Sequence, residues 1–225
     1  MILPLLAAAL FAAPAPVCQA PILAGPPRAQ WWKSPPLEAG SPVTIEPFQG
    51  PDKSYRDGTD LYIVVEQNGA NHGVKADTRH WFEVTLETGE RQTLMMSRGA
   101  GPKAMWTFVP EGSGPIYLAG ADGKAAHVGE HLCKRVTAAD YGIDQRLMCM
   151  SKGTAPDAQW TGDDNAGKVY QESESGKLTL LGAYARFWVT PQNGPRLPVP
   201  ITMSKGTAKD AAWCGEWDGV LYTAK

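Results

Sequence analysis

The 225-residue chain has no long hydrophobic run beyond its first residues. Nowhere after residue 20 do 18 apolar residues stand together, so no membrane-spanning helix, which needs about 20, is expected. Positive charge is not in excess either. Lys and Arg number 21 against 23 Asp and Glu, a formal charge of −2, whereas a dedicated nucleic-acid binder shows a basic surplus. A convincing 3.6-residue apolar period is missing, and 24 glycines with 19 prolines interrupt long helices, which excludes a coiled coil. Catalytic signatures are lacking too. A nucleophile elbow needs Gly-x-Ser-x-Gly; the nearest stretch, Gly112-Ser113-Gly114, does not supply it, and no Gly-rich phosphate loop occurs. His72 and His80 have Asp77 and Glu83 nearby, but 23 acids put a carboxylate near almost any histidine. The expectation is a non-catalytic protein without a cofactor. Disorder is excluded by 43% hydrophobic residues with little net charge.

What is present begins with a leader. Ile2 to Ala13 form an apolar run too short to span a bilayer but suited to the apolar region of a signal peptide. Residues 1–20 are therefore expected to direct export, with cleavage near Ala15 or after Ala20. Residues 21–42 read as a Pro-rich, extended linker, with Pro21, Pro26, Pro27, Pro35, Pro36 and Pro42 among Gly and Ala. Within it, the adjacent Trp31 and Trp32 are expected to pack onto the domain.

The rest, 43–225, reads as one domain of three copies of one unit. Met96-Ser97-Arg98-Gly99-Ala100-Gly101-Pro102-Lys103-Ala104-Met105-Trp106 is matched without gaps by Met150 to Trp160 and by Met203 to Trp213. Met, Ser, a base, Gly, Ala and Trp recur at identical offsets. The tryptophans lie 54 and 53 residues apart. A short segment ending in Tyr117, Tyr170 or Tyr222 follows each Trp, and a fourth, ending in Tyr62, lies upstream. Turn signals follow at Asn68-Gly69, Asp122-Gly123 and Ser175-Gly176. Val84-Thr85, Val136-Thr137 and Val189-Thr190 come next, then a glycine turn, then the Met-Ser anchor. Each period of about 53 residues thus predicts four short strands: the Tyr strand, its hairpin partner, the Val-Thr strand and the Met-Ser strand. The class is all-β. Three such units predict a β-trefoil, a six-stranded barrel closed by three hairpins, in which Trp106, Trp160, Trp213 and their methionines meet near one axis. A β-prism is the alternative. Three periods leave material over, including Val43-Thr44-Ile45 and the Tyr62 strand, so which terminal strand closes the fold stays open.

Gln92 to Phe108, followed by Gly112 and Ile116, resembles the repeat of ricin-type lectins, in which a strand leads through a polar loop to Gln-x-Trp, Thr-Phe, Gly and Ile. The resemblance implies β-trefoil architecture over about 15 to 20 residues per unit. This chain has Ala-x-Trp in every copy, and the lectins' sugar-binding Asp has no match, so no sugar-binding residue is carried over. The resemblance also places a bridge where Cys133 and Cys149 stand, 16 residues apart on neighbouring strands of the second unit. Cys214 is then left unpaired; a Cys149–Cys214 bridge is the alternative. Disulfides fit an exported chain.

Several residues are candidates for function. Arg98, Lys152 and Lys205 hold one position in three polar loops and could receive an anionic or hydroxyl-rich ligand. Trp81 and Trp188 sit near Val84 and Val189 with a parity that points them outward if those valines face in. Exposed tryptophans are enriched at binding sites. His127-x-x-x-His131-x-Cys133 has metal-like spacing, but no second cluster completes a set, and no metal is expected. Two functions follow. One is a secreted, non-catalytic, lectin-like carbohydrate-binding protein. The other is a secreted protein-binding trefoil, a protease inhibitor or host-targeted effector, acting through the irregular loop 192–200 with Asn193, Pro195, Arg196 and Pro198. The partner is thus a glycan or an extracellular protein, not a nucleic acid, and without membrane insertion.

Overall fold

The computed structural model describes Cys18 and residues 22–24, 31–33, 40–48, 54–67, 70–120 and 122–225. The rest of the expected leader, the Asn68-Gly69 turn, and the side chains of Trp31 and Trp32 lie outside the described part. Among described residues there is no α-helix, so none crosses a membrane. Short strands β1 (Ile22–Ala24) and β2 (Trp31–Lys33) form an antiparallel pair. β3 (Ser41–Pro47), β4 (Ser54–Asp57) and β5 (Asp60–Gln67) precede the first unit. That unit is β6 (Ala70–Leu86), β7 (Arg91–Gly99) and β8 (Trp106–Phe108). The second is β9 (Ser113–Ala119), β10 (Lys124–Ala138), β11 (Ile143–Gly153) and β12 (Trp160–Asp163). The third is β13 (Lys168–Glu172), β14 (Leu178–Pro191), β15 (Ile201–Gly206) and β16 (Trp213–Trp217), after which β17 (Val220–Ala224) ends the chain.

The repeat is therefore divided differently from the expectation. The hairpin partner and the Val-Thr segment are one long strand in each unit (β6, β10, β14), while the anchor Trp opens a short strand of its own. Each long strand serves two neighbours. The first half of β10 pairs with β9 and its second half with β11; β14 does the same with β13 and β15. A register shift lies at each crossover: at His127/Gly129 for β10, at Val169/Tyr170 for β14 and at Leu61/Tyr62 for β6. Such a bulge bends a strand and re-aims its side chains. Gly129 and Gly182 follow it because backbone passes closely there. A Cβ would stand 2.3 Å from the Lys152 carbonyl oxygen at the first and 1.8 Å from that of Lys205 at the second.

Fifteen strands form one sheet, in the order β15-β16-β17-β3-β14-β13-β12-β11-β10-β9-β8-β7-β6-β5-β4. The expected six-stranded barrel is not what the chain builds: the sheet is not a barrel, and among the described residues β4 stands at its end. It is folded back locally at two places. β10 runs parallel to β6 at Lys124↔Thr85, which joins β6 to β10 in a five-strand circuit. β14 pairs with both β15 and β3, and β17 runs parallel to β3 at Tyr222↔Ser41, which joins β14 to β17 with β3 in another. Both terminal strands thus complete the third unit, β3 through Ile45↔Val189 and β17 through Tyr222. The Tyr62 strand, β5, builds a separate cluster of Leu61, Ile63, Val65 and Ala76.

One shared core is also not found. Each unit buries its own. Val84, Leu94 and Met96 gather Phe82, Trp106 and Tyr117; Val136, Met148, Met150 and Tyr170 gather Trp160; Phe187, Val189, Met203 and Tyr222 gather Trp213. The physical reason is local. Alternation along the long strand and the Met-Ser strand puts Val and Met on one face, and the next two strands bring Trp and Tyr onto it within some 40 residues. The anchor methionines Met96, Met150 and Met203 are each 0% exposed. Burying such a side chain is worth roughly 1.5–3 kcal/mol.

Candidate functional site

The repeated base does not stand free in its loop. Arg98 lies 5.7 Å from the ring centre of Trp106, Lys152 5.0 Å from Trp160 and Lys205 4.9 Å from Trp213. Each indole is half-buried, with Phe82 meeting Trp106 edge-on at 4.8 Å and Phe187 meeting Trp213 at 4.7 Å. The base follows the buried Met by two residues, so it leaves the strand on the same side and lands over the ring. A cation–π contact of this kind contributes about 0.5–1 kcal/mol when exposed and about 2 kcal/mol when desolvated. The repeated serines Ser97, Ser151 and Ser204 are buried, while Asp157 and Asp210 are exposed. The structure thus brings each repeated base onto an indole.

The two outward tryptophans differ. Trp81 stands 65% exposed on β6, against 3% for Val84 three residues on. Across the strand pair it faces Met95, which is also exposed. Glu83, two residues along the strand, pairs with Arg91 at 2.8 Å, both side chains largely in solvent. Trp188 also leaves the core face occupied by Val189, but it is covered. Phe48 meets it edge-on at 6.3 Å, it packs on the Leu61 cluster, and the Arg196 guanidinium lies 4.0 Å over its ring. Arg196 also reaches Glu46 at 3.7 Å. The 192–200 loop is thereby joined to Trp188. Its far side is pinned by Leu197 N–H donating to the Val189 carbonyl at 2.8 Å and by buried Val199, while Asn193, Pro195, Arg196 and Pro198 remain at the surface.

Cys133 and Cys149 sit directly opposite each other on β10 and β11 and are bridged. Cys214 is not unpaired: it bridges Cys18, buried with Ala212 and Leu221. The bridge ties a residue of the expected leader to β16. Part of the expected 21–42 linker is in strands as well, with β1 lying against β15 and β16, and β2 against β11. Two disulfides among the described residues are the state an oxidising compartment maintains. Of the His-x-x-x-His-x-Cys segment, His127 turns to Glu130, at 3.0 Å, and His131 to Cys133 and Ser151. The donor atoms of His131, Cys133 and Cys149 lie within 4.8 Å of one another, with both sulfurs held in the disulfide.

Two buried acids stand out: Asp77, which the sequence offered only as a carboxylate near a histidine, and Asp163, which it did not single out. Asp77 is fully buried and accepts from Arg56 at 3.2 and 3.4 Å. Burial pushes its carboxyl above the usual range, and Arg56 pulls it back. Paired with Gly99, it holds the place that Gly129 and Gly182 hold opposite Gly153 and Gly206. An acid where two copies have Gly was a visible signal. Asp163 accepts from Asn165 N–H at 2.9 Å and Tyr184 O–H at 3.2 Å, and burial raises its carboxyl too. It shapes the β12–β13 turn.

Arg56→Ala is expected to destabilise the fold by roughly 3 kcal/mol at neutral pH, because it strands a buried carboxylate. With Arg56 gone, the folded-state pKa of Asp77 lies still further above its unfolded value. The loss is then present at neutral pH and shrinks as pH falls and Asp77 takes up a proton. Urea unfolding at several pH values checks this; a loss independent of pH, or unrelieved by Asp77→Asn in the same chain, contradicts it.

No family model, curated protein or solved structure matches the chain.

Proposed function

We propose that the protein is an exported, non-catalytic carbohydrate-binding protein, and that the Trp81 face is its site. The observation that supports this best is the 65% exposure of Trp81 on a paired strand. An indole held open in this way offers a rigid apolar platform for the C–H face of a sugar ring, and its neighbours Glu83 and Arg91 offer acceptors and donors for hydroxyls. Arg98, Lys152 and Lys205 are secondary candidates, since each already serves an indole. The apolar leader and the two bridges support export. A second reading is favoured by the Arg196–Trp188 contact: a protein partner, such as a protease, engaged by the pinned loop 192–200.

A glycan array followed by titration tests the first reading. The protein should bind a neutral glycan with an affinity that holds as salt rises, because a neutral ligand forms no ion pair for salt to screen. Trp81→Ala should weaken it by about tenfold or more, equivalent to ~1.4 kcal/mol. Undiminished binding by that variant, or affinity that collapses with salt, contradicts it. No glycan binding together with tight protease binding lost in Arg196→Ala would establish the second reading.

A further inference from the structure

The Cys133–Cys149 bridge is not part of the repeat. Its cross-strand position is held by Trp81 opposite Met95 in the first unit and by Arg186 opposite Thr202 in the third. Two copies of the unit therefore form the same strand pair without a bridge there. The hairpin it spans is already closed by backbone pairing of β10 with β11 and by the turn at 139–142. A role beyond holding the hairpin is to be sought, and one residue pair distinguishes this unit. The position two residues before the first cysteine is Arg79 in unit one, His131 in unit two and Tyr184 in unit three. Each faces the repeated serine, and only His131 has a cysteine two residues further along its strand. Its Nδ1 lies 2.9 Å from the Ser151 hydroxyl and its Nε2 3.4 Å from the Cys133 sulfur. Ser151 is 2% exposed, whereas both cysteines and His131 keep partial access to solvent.

We propose that Cys133–Cys149 is an exchangeable disulfide that reacts with an external thiol or dithiol, with His131 selecting Cys133 as the leaving sulfur. In the tautomer that serves this role, the Ser151 hydroxyl donates to Nδ1 and the hydrogen on Nε2 faces Cys133. Burial lowers the pKa of His131, so the neutral ring is the resident form. An incoming thiolate attacks Cys149 Sγ. A new disulfide forms between the thiol and Cys149, the Cys133–Cys149 bond breaks, and its electron pair goes to Cys133 Sγ. That thiolate accepts the Nε2–H hydrogen bond until solvent protonates it. With a dithiol, the second thiolate attacks its own mixed disulfide and releases Cys149. The dithiol is oxidised by two electrons and the protein disulfide reduced by two. A leaving thiolate stabilised in this way departs faster. Cys18–Cys214 has both sulfurs buried and serves as an internal control.

The test uses the full chain with both bridges formed, and does not depend on glycan binding. Under limiting reduced glutathione, with iodoacetamide as trap and peptide mapping as readout, glutathione should appear on Cys149 and the alkyl group on Cys133. Dithiothreitol should open Cys133–Cys149 at least about tenfold faster than Cys18–Cys214. His131→Phe should slow that opening several-fold and abolish the preference between the two sulfurs. Equal trapping on both sulfurs in the unaltered chain would overturn the proposal without any variant. So would equal opening rates for the two bridges, or a His131→Phe protein that opens as fast and as selectively as before.

Discussion

Trp160→Ala is expected to lower the unfolding free energy by roughly 3 kcal/mol, and Trp106→Ala and Trp213→Ala by a similar amount. That is the lower end of the range for truncating a large core aromatic, because each indole keeps one edge toward solvent under its base. The loss has three sources: ring contacts with a methionine that is 0% exposed, the cation–π contact with Arg98, Lys152 or Lys205, and the cavity left between neighbouring strands. Against a total stability of about 5–15 kcal/mol this is large. Trp81→Ala, by contrast, should change stability by no more than about 0.5 kcal/mol, as exposed substitutions do. Chemical denaturation of the four variants checks the contrast. Similar losses in all four, or none at the anchors, would remove the basis for treating the repeat as structural.

Cys214→Ser should have the largest effect of any bridge variant. Cys18–Cys214 spans 196 residues and Cys133–Cys149 spans 16. On the chain-entropy account, the longer loop contributes about 5 kcal/mol and the shorter about 3 kcal/mol. The comparison also reports on processing. On the export reading, cleavage near Ala15 would leave Cys18 on the chain, and cleavage after Ala20 would remove it. The bridge needs Cys18, so on that reading the intact mass of the processed protein should include it, and Cys18→Ser should match Cys214→Ser in stability. A mature chain that starts beyond Cys18, or a Cys214→Ser protein as stable as the original, would contradict both points.

Much of the architecture was legible in the residues because it is periodic. The gap-free Met-to-Trp repeat, the Tyr strands and the turn glycines mark strand order, and alternation about Val84 sends Trp81 outward, as found. The position of the repeated base was also readable, since Met96 and Arg98 lie two apart on one strand and so share a face. A base beside Ser and Gly reads instead as a loop group free to receive a ligand. What alternation could not show is where strands merge. The hairpin partner and the Val-Thr segment run on as one strand, since bulges at Val169/Tyr170 and its equivalents bend it from one neighbour to the next. Nor could it show that Val, Met, Trp and the next Tyr suffice for a local core, which makes a common axis unnecessary for burial. Trp188 differs from Trp81 through Phe48 and Arg196, side chains brought from other segments. Cys18 was hidden for a related reason: it stands in a stretch whose composition reads as a leader, and its partner lies 196 residues away.

Oxidative footprinting of the tryptophans tests the central claim most directly: that the repeated indoles are structural and the unrepeated Trp81 is the surface offered to a ligand. The account predicts that brief hydroxyl-radical exposure modifies Trp81 several-fold faster than Trp106, Trp160 and Trp213, with Trp188 also protected under Arg196. Modification of the three anchor tryptophans at the rate of Trp81 would contradict it.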